Sequence, residues 1–149
     1  MLFFDTSFLA PLILQEATSS KIERFVTRLP VSELAISHLA RIEFSSLLAR
    51  EVRMGGLDGQ AARSADAQFE SMVRESFLVL LPNADDFDLA KAYLANHASG
   101  LRAGAALHLA VAKNRHCEAI YSLDKTLLKA GKLLGLPVST GIRLAGYRT

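Results

Sequence analysis

The sequence has little of the chemistry that several common classes of functional site require. It contains a single cysteine, Cys117, which excludes an intramolecular disulfide framework and any zinc site built from several cysteines. Tryptophan is absent and only 7% of the residues are aromatic, which argues against a stacking platform for single-stranded nucleic acids. Neither G-x-x-x-x-G-K-[ST] nor G-x-G-x-x-G occurs, so nucleotide binding through a glycine-rich loop is not expected.

Hydrophobic runs of membrane-spanning length are also missing. The apolar stretch 1–14 falls short of the ~20 residues that a spanning helix needs. It does not resemble a secretion signal either, because it has no basic leader, contains Asp5 and is interrupted by Pro11. We therefore expect no membrane segment and a cytoplasmic location.

The composition is that of a folded protein with one core. Half of the 149 residues are hydrophobic and 21% are charged, which excludes a disordered chain, a collagen and a coiled coil. This length predicts a single domain over residues 1–149. The charge is uneven, since residues 1–88 carry 8 Lys and Arg against 13 Asp and Glu, whereas residues 89–149 carry 9 against 2. A basic half is a weak signal for a polyanion-binding surface, and solvated helix faces explain it equally well.

Short apolar runs alternate with longer helical patterns along the chain. The predicted strands are Leu2–Phe4, Glu33–Ile36, Phe77–Leu81, Ala119–Leu123 and a short fifth strand at Pro137–Ser139. The first predicted helix ends near Leu14, and the other six cover 20–29, 38–54, 58–75, 84–98, 103–115 and 125–134. This alternation predicts an α/β fold of three layers, in which helices flank a central, mainly parallel sheet of four or five strands.

Two acidic residues stand where such a sheet forms its sites. Asp5 directly follows the first predicted strand, and Asp124 directly follows the fourth. Open parallel sheets bind ligands at the carboxyl ends of their strands, near a switch in strand order. Each residue is also a good helix N-cap, and that role stays open for both.

Glu43 is an acid without a local partner. Its neighbours one helical turn away are Leu39, Ala40, Ser46 and Leu47, none of which is basic, so no ion pair within the helix explains it. A carboxylate turned toward an apolar stripe needs a partner or a cation. Either a salt bridge to a distant arginine or a divalent metal ion would satisfy it.

Several convergent carboxylates suit Mg²⁺ or Mn²⁺ better than zinc. Such an ion can polarise phosphorus, lower the pKa of a bound water and stabilise the departing oxygen of a phosphodiester. Asp5, Glu43 and Asp124 are therefore candidate metal ligands of a phosphodiester-cleaving site.

Four segments in this order resemble the PIN-domain family, and most of all its VapC-like toxin ribonucleases. They are Leu-Phe-Phe-Asp5-Thr-Ser, Arg-Ile-Glu43-Phe, the run Leu101–Ala110, and Tyr-Ser122-Leu-Asp124. The resemblance implies a Mg²⁺- or Mn²⁺-dependent endoribonuclease with a four-acid site, a homodimer, an RNA substrate and inhibition by a small cognate antitoxin. It assigns catalytic and metal-binding roles to Asp5, Glu43 and Asp124, and a supporting role to Ser122.

The fourth acid of the family pattern is missing. The family's remaining Asp stands immediately before Ala-Leu-His-Leu-Ala, and Ala105 occupies that position here. Losing one anionic ligand weakens metal binding, so we expect a weakly active or inactive ribonuclease. The alternative is a catalytically dead PIN-fold protein that binds a partner or RNA. A receiver-like signalling domain fits less well, because Leu80, Leu81 and Pro82 stand where its phosphate-accepting Asp is needed.

The remaining polar candidates have weaker signals. His108 could replace the lost ligand, although a structural or surface histidine is the favoured interpretation. Thr6 or Ser7 could orient Asp5 or a water molecule, with helix capping as the equal alternative. Arg102 and Lys125 are candidate contacts for RNA phosphates.

Overall fold

The computed structural model describes residues 1–147, which form a five-stranded sheet flanked by helices. The strands are β1 (Leu2–Phe4), β2 (Leu34–Ser37), β3 (Leu78–Leu80), β4 (Ala119–Tyr121) and β5 (Val138–Ser139). Their order is β3-β2-β1-β4-β5, and all four pairings are parallel. The predicted α/β class with a mainly parallel sheet is confirmed.

Seven α-helices occur in the described residues. They are α1 (Thr6–Ile13), α2 (Ser19–Thr27), α3 (Leu39–Arg53), α4 (Gly59–Ser76), α5 (Ala84–Ala95), α6 (Ala103–Asn114) and α7 (Lys125–Leu133). The bounds of β1, the first residues of α5, α6, β4 and α7 and the last residue of β5 are as predicted, and the other predicted boundaries differ by one to three residues. The predicted strand at Glu33–Ile36 begins later because Val31–Glu33 form a 3₁₀ turn, and the predicted helix at 84–98 ends at Ala95 because His97–Ser99 form another.

The central strand β1 supplies one aromatic ring to each face of the sheet. Successive side chains of a strand point to opposite faces. Phe4 accordingly packs in a core with Phe8 of α1 and Phe44 of α3, whereas Phe3 packs in a second core with residues of α6 and α7. Both rings are fully buried, so the sheet is covered on both sides.

The order of the strands creates a crevice beside β1. From β1 the chain moves outward to β2 and β3 on one side, and later to β4 and β5 on the other. The two strands that flank this reversal, β1 and β4, end next to each other, with Phe4 paired to Tyr121. This is the topological switch point at which sheets of this kind place their ligands.

Helix α6 is buried on nearly all sides. Its residues Ala106–Ala112 are all buried, and they include one ionisable side chain, His108. No helix within residues 1–147 has the combination of length and hydrophobicity needed to cross a membrane.

Candidate functional site at the carboxyl ends of β1 and β4

Asp5 lies at the switch point, directly after β1. Its amide donates a hydrogen bond to the Tyr121 carbonyl, which extends the pairing of β1 with β4 by one residue. The side chain is buried, and its Oδ2 accepts hydrogen bonds from two hydroxyls, Ser7 Oγ at 2.6 Å and Ser122 Oγ at 2.7 Å. The other oxygen of the carboxylate, Oδ1, accepts no hydrogen bond within residues 1–147.

The two hydroxyls that hold Asp5 are themselves fixed by backbone amides. Ser7 Oγ accepts a hydrogen bond from the Leu123 amide, and Ser122 Oγ accepts one from the Asp124 amide, both at 3.0 Å. Each hydroxyl has a single proton, which it donates to Asp5. The connection after β4 therefore orients the carboxylate that follows β1.

Glu43 reaches the same place from α3. Its Oε1 accepts a hydrogen bond from Thr6 Oγ1 at 2.7 Å and lies 2.5 Å from His108 Nε2. The same imidazole nitrogen lies 3.8 Å from Asp5 Oδ1. His108 thus stands between two carboxylates that are 38 residues apart in the chain.

The electrostatics of this cluster favour a charged imidazole. Burial alone would lower the pKa of His108, but the hydrogen bond to Glu43 and the charge of Asp5 raise it above its usual value. Burial would likewise raise the pKa of Glu43, but the hydrogen bonds from His108 and Thr6 hold it below its usual value. Each partner therefore stabilises the charged form of the other.

The first turn of α6 shapes the pocket around Glu43. A Cβ atom added at Gly104 would lie 2.6 Å from Glu43 Oε2, closer than real contacts of that kind. The second oxygen of Glu43 therefore fills the space that any larger residue at position 104 would occupy. Gly104 and His108 are one helical turn apart, so they present the same face of α6 to this carboxylate.

Asp124 lies beside the cluster, with its carboxylate engaged elsewhere. Its Oδ1 accepts hydrogen bonds from the amides of Thr126 at 2.9 Å and Leu127 at 3.3 Å, which caps the N-terminus of α7. Its own amide is linked to Asp5 through the Ser122 hydroxyl. The structure therefore brings Asp5 and Glu43 together and leaves Asp124 at the rim in a capping role.

The other sequence-predicted residues surround this cluster. Thr6 contacts Glu43, and Ser122 contacts Asp5. Ala105 is half-buried in α6, one turn before His108. Arg102 is exposed at the N-cap of α6, and Lys125 is exposed at the start of α7, with its ammonium 5.0 Å from the centre of the Tyr147 ring.

The donor set is compatible with a divalent cation. One ligand atom each from Asp5, Glu43 and His108 lies within 4.8 Å of the other two. Ligands of Mg²⁺ at ~2.1 Å from the ion lie roughly 3 to 4 Å from each other, so small side-chain rotations bring these atoms into range. The second ring nitrogen of His108, Nδ1, is buried without a hydrogen-bond partner among the described residues, whereas Nε2 donates to Glu43, so a neutral ring carries its proton on Nε2.

Sequence reasoning gave too little weight to His108 and Ser7. The histidine is only 1% exposed, so the surface interpretation was wrong, and it rather than an arginine is the partner of Glu43. A usable signal was present, because a histidine in an otherwise apolar helix needs a buried polar partner. Ser7 belongs to the shell around Asp5, whereas Thr6 contacts Glu43 instead of Asp5.

Comparisons with known proteins agree with the fold. The family model described as "PIN domain" matches residues 2–133. A search of curated proteins gave no significant match.

Three solved structures illustrate the similarity of fold. Mycobacterium tuberculosis VapC20, a sarcin–ricin loop cleaving toxin, is 24% identical, with a TM-score of 0.69 over 88% of this chain and 95% of the other. A chain of FitAcB from Neisseria gonorrhoeae is 14% identical, with a TM-score of 0.66 over 95% and 98%. A chain of a toxin–antitoxin complex from Klebsiella pneumoniae is 17% identical, with a TM-score of 0.63 over 97% and 100%.

Proposed function

Because the chain belongs to the PIN domain family, we propose that it is a metal-dependent endoribonuclease toxin of a toxin–antitoxin module, weakened by Ala105. The main observation in support of this proposal is that Asp5 and Glu43 converge at the switch point of the sheet. A ligand atom of each lies within 4.8 Å of a ligand atom of the other. Two carboxylates at this place suit a hard cation. In this proposal residues 1–149 form one catalytic domain.

Mg²⁺ or Mn²⁺ would be held by Asp5 and Glu43, with Asp124 as the third acid at the rim. The ion supplies charge that polarises the scissile phosphate and acidifies the attacking water. The protein's own part is orientation. Ser7 and Ser122 fix Oδ2 of Asp5, and Thr6 holds Oε1 of Glu43.

The first test measures metal binding separately from activity. Calorimetric titration with Mn²⁺ should show one site in the unmodified chain and a loss of affinity of at least tenfold in Asp5→Asn and in Glu43→Gln. Asp88→Asn removes an exposed acid on α5 and should leave the affinity unchanged. Equal affinity in all four proteins would contradict the assignment of the site.

The second test measures cleavage. Labelled RNA is incubated with the chain and Mg²⁺ or Mn²⁺, and with a variant that carries Ala105→Asp. The proposal is supported if either protein cleaves the RNA and this cleavage is abolished both by EDTA and by the Asp5→Asn substitution. If the restored variant binds Mn²⁺ but cleaves no RNA, the nuclease function is wrong.

A specific observation favours the second candidate, a catalytically inactive PIN-fold protein that retains binding to a partner or RNA. His108 Nε2 lies between Asp5 and Glu43, and the hydrogen bond to Glu43 and the charge of Asp5 raise its pKa despite burial, so a protonated ring would supply the positive charge that a metal ion otherwise provides there. Under this alternative the unmodified chain binds RNA or a partner without any cleavage, even with Mn²⁺. Slow Mn²⁺-dependent cleavage would exclude it.

A small cognate antitoxin is the protein partner that we propose, since a similar fold occurs in the Klebsiella toxin–antitoxin complex. Co-purification with the product of the adjacent reading frame tests this. The expected result is a stable complex that lowers RNA cleavage by the Ala105→Asp variant.

We also propose a homodimer that covers the β3 edge of the sheet. β3 is the last strand on its side, and Leu78, Leu81 and Phe87 beside it are each more than half exposed. Open edges with apolar side chains favour association. Light scattering should give twice the chain mass, and Leu81→Glu together with Phe87→Glu should give a monomer.

A further inference from the structure

Three adjoining clefts run along one side of the molecule and share their walls. The first is lined by Lys125, Lys129 and Lys132 of α7, together with Tyr147. The second shares Leu128 and Lys132 with the first and ends at Arg143. The third shares Arg143 with the second and continues to Lys21 and Arg24 of α2. No acidic residue lines any of the three clefts within residues 1–147.

Seven exposed cations line this path, and we call them the basic belt. They are Lys125, Lys129, Lys132, Arg143, Lys21, Arg24 and Arg28. None of them forms an ion pair within the described residues, whereas Arg41 and Arg115 are paired with carboxylates. The belt is therefore a concentration of uncompensated positive charge.

The spacing of the lysines in α7 places them on one helical stripe. Lys125, Lys129 and Lys132 are separated by four and three residues, so they share a face and span about 10 Å along the axis. Like charges at this spacing destabilise a helix. The sequence from residue 125 to the end contains no Asp or Glu to offset them. On α2, Glu23 points away from the face that carries Lys21 and Arg24.

The belt begins at the rim of the acidic cluster. Lys125 directly follows Asp124, and the Tyr147 hydroxyl beside it donates a hydrogen bond of 2.7 Å to the Leu123 carbonyl. The Leu123 amide in turn is bound to Ser7, which holds Asp5. A chain bound at Asp5 can therefore pass over Lys125 and continue along α7.

We propose that the basic belt binds the phosphate backbone of an RNA strand on one side of the scissile bond. The substrate would then be a chain of several nucleotides that extends from Asp5 and Glu43 across α7 toward α2. This inference rests on the proposed function. An RNA strand fits better than an acidic protein segment, because cations recur along all three clefts with no acidic residue among the lining residues within 1–147, and regularly repeated charge is the property of a phosphate backbone.

The test compares two variants with the same change in net charge. The belt variant carries Lys129→Ala, Lys132→Ala and Arg143→Ala. The control variant carries Arg50→Ala, Arg53→Ala and Lys91→Ala, which are exposed cations of α3 and α5 without an ion pair in the described residues. All six positions are exposed, so both proteins should keep the circular dichroism spectrum and melting temperature of the unmodified chain.

Binding is measured with a fluorescent 20-nucleotide single-stranded RNA in EDTA, so that no cleavage occurs. The belt variant should bind at least tenfold more weakly than the control variant. Each phosphate contact on a single strand contributes about 0.7 to the slope of log affinity against log salt, so the slope should fall by about 2 in the belt variant. An RNA of four nucleotides should show little difference between the two variants.

The outcomes separate this inference from the proposed function. If the belt variant and the control variant bind the RNA equally well, the basic belt does not bind RNA and the inference is wrong, even if the Ala105→Asp protein cleaves RNA. If the belt variant binds RNA normally but loses the cognate antitoxin, the belt is a protein-binding surface and the inference is wrong. If RNA binding depends on the basic belt but the Ala105→Asp protein cleaves no RNA, the inference holds and the proposed nuclease function is wrong.

Discussion

His108 Nε2 lies 2.5 Å from Glu43 Oε1 and joins α6 to α3 across the carboxyl end of the sheet. The imidazole is buried, whereas the Glu43 side chain is about one-third exposed. Two carboxylates at one place repel each other, and a protonated imidazole between them relieves that repulsion without a bound ion. The contact therefore ties the stability of the fold to the same groups that would hold a metal.

Replacing His108 with asparagine should lower stability in a pH-dependent way. The raised pKa of His108 contributes stability that is complete below about pH 6.5. This contribution is lost as the pH rises through the pKa that His108 has in the folded protein. The lowered pKa of Glu43 contributes stability that is complete above about pH 4.3 and is lost as the pH falls through its folded value. The difference between the unmodified chain and His108→Asn should therefore be largest near pH 5 to 6.5 and reach about 2 kcal/mol.

Urea unfolding at several pH values in EDTA measures this difference. His97→Asn alters an exposed histidine and should show no such pH profile. A loss of stability in His108→Asn that is constant from pH 5 to 9 would indicate packing alone and contradict the ion pair.

Replacing Ala105 with aspartate should raise metal affinity and RNA cleavage. Residues 105 and 108 lie on the same side of α6, so the new carboxylate joins the face that His108 presents to Asp5 and Glu43. It also stands in the first turn of the helix, where the helix dipole favours a negative charge. One more anionic ligand should strengthen Mg²⁺ or Mn²⁺ binding by at least tenfold, or about 1.4 kcal/mol.

Calorimetry and an RNA cleavage assay check this result, with Ala105→Asn as the neutral control of similar size. The asparagine variant should gain little metal affinity. If both variants behave alike, the charge at position 105 is irrelevant and the site assignment is wrong.

A second ion pair, remote from the cluster, should control acid stability. Asp86 is fully buried, and its Oδ1 accepts hydrogen bonds from Arg115 Nη1 at 2.7 Å and Asn114 Nδ2 at 2.8 Å. Burial would raise the pKa of Asp86, but these bonds and the Asn83 amide hold it below its usual value. Its contribution is therefore present above about pH 3.9 and is lost as the pH falls through the folded value.

Asp86→Asn should cost about 3 kcal/mol at pH 7, because it leaves Arg115 without its counter-ion. The difference from the unmodified chain should shrink below about pH 4, because Asp86 then takes up a proton in the unfolded chain at a higher pH than it does in the folded protein. Chemical unfolding at several pH values measures the loss of stability at pH 7 and its decrease in acid. The control is Asp85→Asn, which alters an exposed neighbour of Asp86. A loss that persists undiminished at pH 3 would show that packing, rather than charge, dominates at this position.

The layered fold could be predicted from the sequence because local signals agree with one another. Buried runs such as Leu2–Phe4 are separated by helical patterns with clear ends, and only a parallel sheet satisfies that alternation. Asp5 could be placed at the sheet's edge by the same logic, since it directly follows β1. Two of the boundary errors fell at 3₁₀ turns, Val31–Glu33 before β2 and His97–Ser99 after α5.

The contacts within the site could not be predicted in the same way. Helix α6 is apolar on almost every side, so its periodicity does not show which direction His108 faces. The side chain of Asp124 can cap α7 or turn into the crevice, and that choice depends on the tertiary arrangement of Ser122 and Asp5. The pairing of Glu43 with His108 joins residues 65 positions apart, which no local pattern encodes.

Gly104→Ala should separate the stability of the fold from the integrity of the site. Alanine is the better helix former by about 1 kcal/mol, so α6 itself should become more stable. The added methyl group would lie 2.6 Å from Glu43 Oε2, and this carboxylate, as the end of a flexible side chain, should move away. We expect an unchanged or higher melting temperature together with Mn²⁺ affinity reduced by about tenfold, or about 1.4 kcal/mol.

The matched control is Gly59→Ala at the start of α4, where the new Cβ would approach only the Arg63 guanidinium, at 3.3 Å. This variant should leave Mn²⁺ affinity unchanged. If Gly104→Ala kept full affinity, Oε2 of Glu43 would not be the oxygen that holds the ion. Since Oε1 is engaged by Thr6 and His108, that result would leave no oxygen of Glu43 for the ion in the observed arrangement, and Asp5 would have to bind it without Glu43.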